Sequence, residues 1–351
     1  MPKPHLVTGG CGFVGRHLVK KLTEERGESV FMIDNLSTGK HPDLWLKDWS
    51  RETHGDLIIY SKDQVRVTFL EIDALHFFDR LTNNSAAFPV PDFNDVYHLA
   101  SIVGGRVLID GDPLLVSYDL AIDAGLFLWA TRQSKKFKRI LYASSSAAYP
   151  IHLQSEGNAL ALKEEFIDFA TNNLGRPDMT YGWSKVSGEY LARLAHKHYG
   201  VPIACVRPFS GYGEDQDLSY PVPAIALRIA KHENPIAVWG TGEQGRDFIY
   251  IDDCIDAMFL ILDKIDDGRG INIGSGKLTS FNNLIGKMCE LENHKAEIKK
   301  LLDKPVGVQS RYADVTILNN DIGYHPTTSL AAGLEKMLAY AHKRAEGKAK
   351  L

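Results

Sequence analysis

Short apolar runs recur through the first half of the chain, and segments long enough for a helix separate them. The runs cover residues 6–8, 31–33, 65–72, 96–98 and 140–142. Strand-like runs that alternate with helix-length segments predict parallel βαβ units wound into one sheet. The segment after residue 12 and the segment 181–199 have apolar side chains at helical spacing, which predicts two amphipathic helices.

The amino-acid composition of the chain changes beyond residue 206. Residues 207–222 are rich in Gly, Pro, Ser and Asp, and interleaved helical and strand-like segments follow them. We therefore predict an α/β fold: a doubly wound parallel sheet with a smaller C-terminal α/β lobe. The predicted sheet domain comprises residues 1–206 and 247–268, and the predicted lobe comprises 207–246 and 269–345. Because open α/β sheets bind ligands at the carboxyl ends of their strands, we expect the lobe to cover that edge.

The composition is that of a globular protein of 351 residues, with 44% hydrophobic and 24% charged residues. The formal net charge of -4 gives no basic footprint, so neither nucleic acid nor an anionic membrane is an expected partner. No stretch is expected to be long enough to span a bilayer, and the amino terminus does not resemble a signal peptide.

The four cysteines are scattered and lack the spacing of a metal site or a CxxC motif. They are Cys11, Cys205, Cys254 and Cys289. We expect reduced and mostly buried thiols, which favours a cytoplasmic location. The sequence predicts no metal site.

Three glycines, Gly9, Gly12 and Gly15, lie between the first strand and the first helix. Glycine permits a tight turn there, allows backbone N–H groups to approach a diphosphate, and lets the helix pack closely. The amino terminus of the helix favours the negative charge of the ligand. A plain turn followed by a close-packed helix would give the same three glycines, so their context decides the interpretation.

Acidic residues at the ends of the next two apolar strands provide that context. Asp34 ends the second strand, where a carboxylate can accept hydrogen bonds from both ribose hydroxyls of an adenosine. A carboxylate repels a 2′-phosphate, so the sequence predicts NAD rather than NADP. Asp73 closes the next apolar strand and could face the adenine amino group, although a solvated strand-end carboxylate explains it nearly as well.

Tyr181 and Lys185 are four residues apart on a predicted helix, so their side chains lie on one face. Ser145 follows an earlier strand, and together the three are predicted to be catalytic. A phenol with a pKa near 10 needs a shift of about 3 units to act as a base at neutral pH. A nearby ammonium and a cationic nicotinamide ring can supply that shift. The alternative is a buried tyrosine beside a lysine that extends to solvent.

These motifs resemble the extended short-chain dehydrogenase/reductase family, the NAD-dependent epimerases and dehydratases of nucleotide sugars. The resemblance spans nearly the whole chain and rests on residues 8–15, 33–35, 97–100, 144–146, 181–185, 245–253 and 272–275. It implies a Rossmann domain, tightly bound NAD, a UDP- or GDP-linked sugar as substrate, and a homodimer joined through two helices of each subunit.

The resemblance also implies further site residues. Besides the glycines, Asp34, Asp73, Tyr181 and Lys185, the implied cofactor-binding residues are Phe13, Val14, Asn35, Ala74 and Ala100. The implied substrate-binding residues are Ser146, Ser210, Arg246 and Arg311, of which the two arginines would hold the diphosphate. The guanidinium group suits bidentate binding of phosphate oxygens.

Departures from the family pattern narrow the activity. Dehydratases and decarboxylases of the family carry acidic residues where this chain has Ser146 and Ala147. The sequence looks most like the GDP-mannose 3,5-epimerase branch, yet the Cys and Lys that move protons in that branch correspond to Ala147 and, by an ungapped comparison, Pro221. The family's usual Asn in the substrate loop is Ser210, and the usual Asn behind the catalytic lysine is missing near residues 119–121.

The chemistry that remains needs only Ser, Tyr, Lys and NAD. We therefore predict an isomerase that oxidises C4 to a 4-keto sugar and reduces it from the other face, a nucleotide-sugar 4-epimerase. The alternatives are a nucleotide-sugar 4-dehydrogenase, an atypical 3,5-epimerase or dehydratase, and an NAD-sensing scaffold protein without catalysis. An NADPH-dependent reductase is disfavoured by Asp34.

Overall fold

The computed structural model describes residues 2–104, 106–155, 159–171 and 173–347. The strands are β1 His5–Thr8, β2 Val30–Asp34, β3 Ser50–His54, β4 Leu57–Lys62, β5 Val65–Glu71, β6 Asp95–His98, β7 Arg139–Ala143, β8 Ala161–Leu162, β9 Ile203–Pro208, β10 Ser210–Tyr212, β11 Ile236–Trp239, β12 Gly245–Arg246, β13 Phe248–Tyr250, β14 Asp267–Ile273, β15 Thr279–Ser280, β16 Ile298–Leu301 and β17 Ser310–Ala313.

The α-helices are α1 Phe13–Lys20, α2 Ala74–Thr82, α3 Arg106–Gly111, α4 Pro113–Val116, α5 Tyr118–Arg132, α6 Met179–Tyr199, α7 Pro221–Ala230, α8 Ile251–Lys264, α9 Phe281–Leu291, α10 Thr316–Asn320 and α11 Leu330–Ala345. A π-helical turn, Lys21–Glu25, continues α1, and a short 3-10 helix, Ser146–Ala148, follows β7.

The largest sheet has nine strands in the order β14-β9-β7-β6-β1-β2-β5-β4-β3. The seven strands from β14 to β5 pair in parallel, whereas β5, β4 and β3 pair as antiparallel neighbours. The predicted doubly wound parallel sheet is confirmed. The order of strands reverses at β1, so the crevice between β1 and β6 is the position at which such sheets bind ligands.

Helices cover both faces of this sheet because its strands are apolar on both sides. On one face α1 and α8 pack Leu18 and Ile255 against the sheet. On the other face α2, α5 and α6 do so, with Phe77 and Ile122 in the same core. Five sequence runs thus appear as β1, β2, β5, β6 and β7, but the β3–β4 hairpin at the sheet edge was not predicted.

The lobe consists of three small sheets, β10-β13, β11-β16 and β15-β12-β17-β8, together with helices α7 and α9 to α11. The predicted domain boundaries after residues 206 and 268 fall inside β9 and β14. These two strands pair with each other along the edge of the nine-stranded sheet, from Asp267 opposite Ile203 to Ile273 opposite Pro208. The sheet therefore extends beyond both predicted boundaries.

One stretch, Pro113–Arg132, is long and apolar enough to cross a membrane by length and composition, in contrast to the expectation from the sequence. Half of its most apolar window is buried inside the fold. Ile122 and Leu126 of α5 belong to the core, whereas Leu120 and Leu128 are exposed. The apolar character of α5 thus comes from two faces, one of which packs against the protein itself.

Candidate active site

The glycine-rich loop lies at the crevice between β1 and β6. Gly9 has a φ of +68°, and a Cβ atom there would lie 2.8 Å from the backbone nitrogen of Ala100. A Cβ on Gly15 would lie 2.7 Å from the Cα of Gly10. Neither position can accept a side chain without displacing backbone, so both glycines are needed for the turn and for the close approach of α1.

Gly12 is the N-cap residue of α1, and no side chain caps that helix. The N–H groups of the first helical turn are therefore available to a ligand, and the helix dipole favours an anion there. Phe13, Val14 and Gly15 form that first turn, as the sequence predicted. This cradle fits the diphosphate of a dinucleotide.

Asp34 lies beside this loop at the carboxyl end of β2. Its carboxylate accepts hydrogen bonds from the N–H groups of Cys11 at 2.9 Å and Leu36 at 2.8 Å. Burial raises the pKa of Asp34, while these backbone donors oppose the shift. The backbone N–H of Gly12 also donates to this carboxylate. A carboxylate has about four acceptor positions, so the group can still receive a ribose hydroxyl.

Asp73 has structural partners in addition to any role in binding. It is the N-cap of α2 and accepts the Leu75 N–H at 3.0 Å. Asn35 and the hydroxyl of Tyr118 also donate to it, at 3.2 and 3.1 Å. The side chain of the next residue, Ala74, is buried. Contact of the Asp73 carboxylate with adenine stays a prediction.

Ala100 follows β6, and its backbone N–H donates to Oγ1 of Thr8 at 3.1 Å. The same oxygen lies 3.0 Å from Nδ1 of His98. These contacts join the ends of β1 and β6 at the crevice, so Ala100 lies beside the glycine-rich loop. Its contact with the cofactor stays a prediction.

Ser145 and Tyr181 are brought together because the loop after β7 docks on the start of α6. The N–H of Asp178 donates to the carbonyl of Ala147 at 3.0 Å. At Gly182 a Cβ atom would meet this carbonyl, so the docking needs a glycine there. The hydroxyl of Ser145 accepts the Ala147 N–H at 3.1 Å and forms a hydrogen bond with the phenol of Tyr181.

Lys185 lies one helical turn after Tyr181 and is 2% exposed. Its Nζ atom is 5.6 Å from the ring centroid of Tyr181 and 5.5 Å from that of Tyr142. Burial raises the pKa of Tyr181, and the charge of Lys185 and the hydrogen bond of Ser145 oppose that rise. The lysine and the serine thus act on this pKa in the direction that a catalytic base requires.

Two buried carboxylates near Lys185 were missed by the sequence analysis. Asp119 and Asp123 are four residues apart on α5, and each is 1% exposed. Burial alone would lower the pKa of Lys185, but Asp123, Tyr181 and Asp119 outweigh it and raise that pKa. Two acidic residues at helical spacing in an otherwise apolar helix were the available signal.

A second buried charge pair joins α6 to β9. Arg207 of β9 donates to Glu189 of α6 from Nε at 2.9 Å and from Nη2 at 2.7 Å. Its remaining Nη1 donates to the hydroxyl of Tyr149 at 3.0 Å. Ser144, the neighbour of Ser145, donates to the same glutamate. This network fixes α6 against both β9 and the Ser145 loop.

The structure places the two predicted diphosphate arginines side by side. β12 and β17 pair in parallel with Arg246 opposite Arg311. Arg246 donates to the carbonyls of Gly245 and Val306, at 2.7 and 3.1 Å. Arg311 forms an ion pair with Asp178 at 2.8 Å, just before the start of α6.

The remaining predicted substrate residues differ in exposure. Ser146 and Ala147 are 6% and 4% exposed, so the loop after Ser145 is almost closed to solvent. Ser210 is partly buried, and its backbone N–H donates to the carbonyl of Asp247 at 2.9 Å. Pro221 is exposed at the first position of α7.

Comparisons with known proteins agree with this geometry. The chain is 27% identical over 346 residues to the uncharacterized UDP-glucose epimerase YtcB of Bacillus subtilis, covering 97% of this chain and 99% of that one. It is 27% identical over 335 residues to GDP-mannose 3,5-epimerase 1 of Oryza sativa subsp. indica, covering 93% and 79%. The UDP-glucuronic acid 4-epimerase of Bacillus cereus, solved with UDP-glucuronic acid and NAD, superposes with a TM-score of 0.76 at 25% identity and covers 97% and 99%.

The family model described as NAD dependent epimerase/dehydratase family matches residues 5–274, which is most of the chain. The match includes the glycine-rich loop, the Ser145 loop, α6 and Arg246. The resemblance drawn from the sequence motifs is confirmed, and the chain belongs to the NAD dependent epimerase/dehydratase family.

Proposed function

We propose that this chain is an NAD-dependent nucleotide-sugar epimerase that inverts C4 through a 4-keto intermediate. The observation that carries the proposal is the position of Ser145, Tyr181 and Lys185 at the carboxyl edge of the sheet. They lie on the same side as the glycine-rich loop, and the neighbouring residues Ser146 and Ala147 offer no acid or base. The three residues therefore supply the proton transfer that accompanies hydride transfer at C4, and the two neighbouring positions supply none for elimination.

The protein's own residues supply the proton chemistry. Tyr181 takes the proton of the 4-hydroxyl group and returns it after inversion, while Ser145 holds the same oxygen by a hydrogen bond. Lys185 favours the tyrosinate form by its positive charge. When bound, NAD supplies the acceptor and then the donor of the hydride. Inversion requires only that the keto sugar presents its other face before it is reduced.

We propose a UDP-linked sugar as the first substrate to test, with a GDP-linked sugar next. Arg246 and Arg311 on adjacent strands give two guanidinium groups to the diphosphate, which both nucleotides share. The support for UDP is the similarity along almost the full length to a 4-epimerase solved with UDP-glucuronic acid. A free 4-keto product, and thus a 4-dehydrogenase, would require the intermediate to leave before reduction.

The structure gives less support to 3,5-epimerisation, in spite of the similarity to GDP-mannose 3,5-epimerase. That reaction needs proton carriers next to C3 and C5. Ala147 has none and is buried, and the exposed Pro221 has none either. Deprotonation next to the keto group would need residues from elsewhere in the chain.

We also propose a homodimer formed through α5 and α6. The two helices pack against each other and leave apolar side chains exposed: Leu120 at 41%, Leu128 at 53%, Trp183 at 45% and Tyr190 at 47%. Leu128→Glu should give a monomer by light scattering, whereas Leu302→Glu, at a leucine 72% exposed on the lobe, should not. Dimers that survive Leu128→Glu would place the interface elsewhere.

The decisive experiment is incubation of the purified protein and NAD with a panel of UDP-, GDP-, CDP- and dTDP-sugars, followed by NMR of the products. We expect the 4-epimer of one panel member, and about 10²–10⁴-fold slower formation of it by the Tyr181→Phe variant. A keto sugar, a product inverted at C3 or C5, or NAD binding without turnover would each replace the proposal by one of its alternatives.

The free and largely buried cysteines fit the proposed cytoplasmic location.

A further inference from the structure

Asp119 is a buried carboxylate that the proposed reaction does not use directly. It is the second residue of α5 and is 1% exposed. Its two oxygens accept hydrogen bonds from the hydroxyl of Ser101 and from the backbone N–H of Ile102, both at 2.6 Å. Short bonds to an ionised acceptor are among the stronger ones in proteins. Asp119 thus holds residues 101 and 102, which follow Ala100 of the predicted cofactor channel shortly after the end of β6.

The same carboxylate acts on the catalytic lysine. α5 and α6 pack against each other, and Lys185 on α6 is 2% exposed. Burial raises the pKa of Asp119 and the charge of Lys185 opposes that rise, while Asp119 is one of the groups that raise the pKa of Lys185. Asp123 also faces the lysine, but His98 and Tyr142 occupy its oxygens at 3.2 and 2.5 Å. Both carboxylates thus act on the lysine through their charge, and Asp119 of this pair also holds residues 101 and 102.

We propose that Asp119 is a positioning residue that fixes residues 101 and 102 and places a negative charge near the Lys185 ammonium, in the region where the family's usual asparagine is missing. A carboxylate can accept both hydrogen bonds of this loop, as an amide oxygen and NH₂ group could do by accepting one and donating the other. In contrast to an amide, it adds a negative charge beside the catalytic pair. The inference rests on the proposed function only in taking Tyr181 as the base.

The consequence of this charge follows from the described groups that act on Tyr181. From α6 and the Ser145 loop, Lys185 and Ser145 favour the tyrosinate, whereas Asp119 and Asp123 of α5 disfavour it. The other groups around them are His98 on β6, Tyr142 on β7 and Tyr220 before α7. Removal of the Asp119 charge should therefore make Tyr181 easier to ionise.

Two substitutions separate the charge from the hydrogen bonds. Asp119→Asn removes the charge and can keep both contacts, since its oxygen accepts the Ile102 N–H and its NH₂ group donates to Ser101. Asp119→Ala removes both the charge and the two hydrogen bonds. Asp112→Asn is the matched control, because Asp112 caps α4 from an exposed position and asparagine is an equally good cap.

The test measures the NAD-saturated protein without any sugar, so it is independent of the proposed epimerase activity. Tyrosinate absorbance is titrated with pH, and subtraction of the Tyr181→Phe curve isolates Tyr181. NAD affinity is measured by calorimetry on the same proteins. We expect Asp119→Asn to lower the pKa of Tyr181 by about 1 unit with NAD affinity nearly unchanged. Asp119→Ala should weaken NAD binding by about tenfold or more, and Asp112→Asn should change neither quantity.

An unchanged or raised Tyr181 pKa in Asp119→Asn would overturn the inference that Asp119 acts on the catalytic pair. NAD affinity that is equal in Asp119→Ala and the unmodified protein would overturn its role in holding residues 101 and 102. A purely structural aspartate would weaken binding in both variants without moving the titration. If Asp119→Ala does not fold, the Asn variant alone decides the role of the charge.

Discussion

Tyr181→Phe removes a single oxygen atom from the candidate active site. The ring stays beside Lys185, whose ammonium is 5.6 Å from its centroid, so the packing at the start of α6 should be retained. What is lost is the hydrogen bond with Ser145 and the group that accepts the proton of the substrate hydroxyl. Arg246 and Arg311 are untouched, so the sugar nucleotide should bind almost as before.

The size of the loss follows from acid–base chemistry. General-base catalysis typically contributes about 10²–10⁴ in rate, which is about 3–5 kcal/mol of barrier. A phenol at its ordinary pKa near 10 is ionised to only about one part in 10³ at neutral pH, which gives a penalty of about 4 kcal/mol. Burial raises the pKa of Tyr181 further, so the charge of Lys185 is needed to offset it. Lys185→Met should therefore be about as damaging as Tyr181→Phe.

The assay is a single turnover in which the enzyme and NAD are mixed with substrate and the absorbance of reduced NAD is followed. We expect the double variant to be no slower than the slower single variant, since both substitutions remove the same tyrosinate. Sugar-nucleotide affinity measured by calorimetry is the control. A Tyr181→Phe protein that reduces NAD at a near-normal rate would show that this phenol is not the base.

Three further outcomes are expected. Asp34→Ala should reduce the preference for NAD over NADP in binding measurements, because the carboxylate no longer repels the 2′-phosphate; an unmodified protein that prefers NADP would contradict this reading. Arg207→Met should lower the free energy of unfolding by about 3–5 kcal/mol, since it leaves the charge of Glu189 buried without its partner, and a change below about 1 kcal/mol by denaturant titration would contradict that. Solvent deuterium should not enter C3 or C5 of the sugar during turnover, because Ala147 and Pro221 have no ionisable group that could move a proton at these carbons. Mass spectrometry of the product checks this.

The sequence predicted the sheet because its central strands are buried on both faces and therefore appear as apolar runs. β3 was not predicted, for the opposite reason. All five of its residues, Ser50–His54, are exposed, so no apolar pattern marks them. β4 alternates only weakly, with Leu57 and Tyr60 buried. An exposed edge hairpin depends on its pairing with β5, which local periodicity does not encode.

Spacing along one helix predicted that Tyr181 and Lys185 share a face, but not what faces them. Asp119 reaches this site through the packing of α5 on α6, and Asp178 reaches Arg311 across 133 positions of sequence. Such contacts depend on how elements meet in three dimensions. The glycine-rich loop was predictable because all of its constraints lie within seven consecutive residues and the strands beside them.

The pairing of β9 with β14 limits how this protein can be divided or recombined. A fragment that stops at residue 206 ends inside β9, lacks β14 at the edge of the sheet and lacks α8, so an edge strand and an apolar face would be open to aggregation. Exchange of the lobe with that of a relative would need two replaced segments, one between β9 and α8 and one after β14, rather than a single crossover. Chimeras joined at the three ends of those segments should keep the sheet intact, whereas a single fusion at residue 206 should yield insoluble protein.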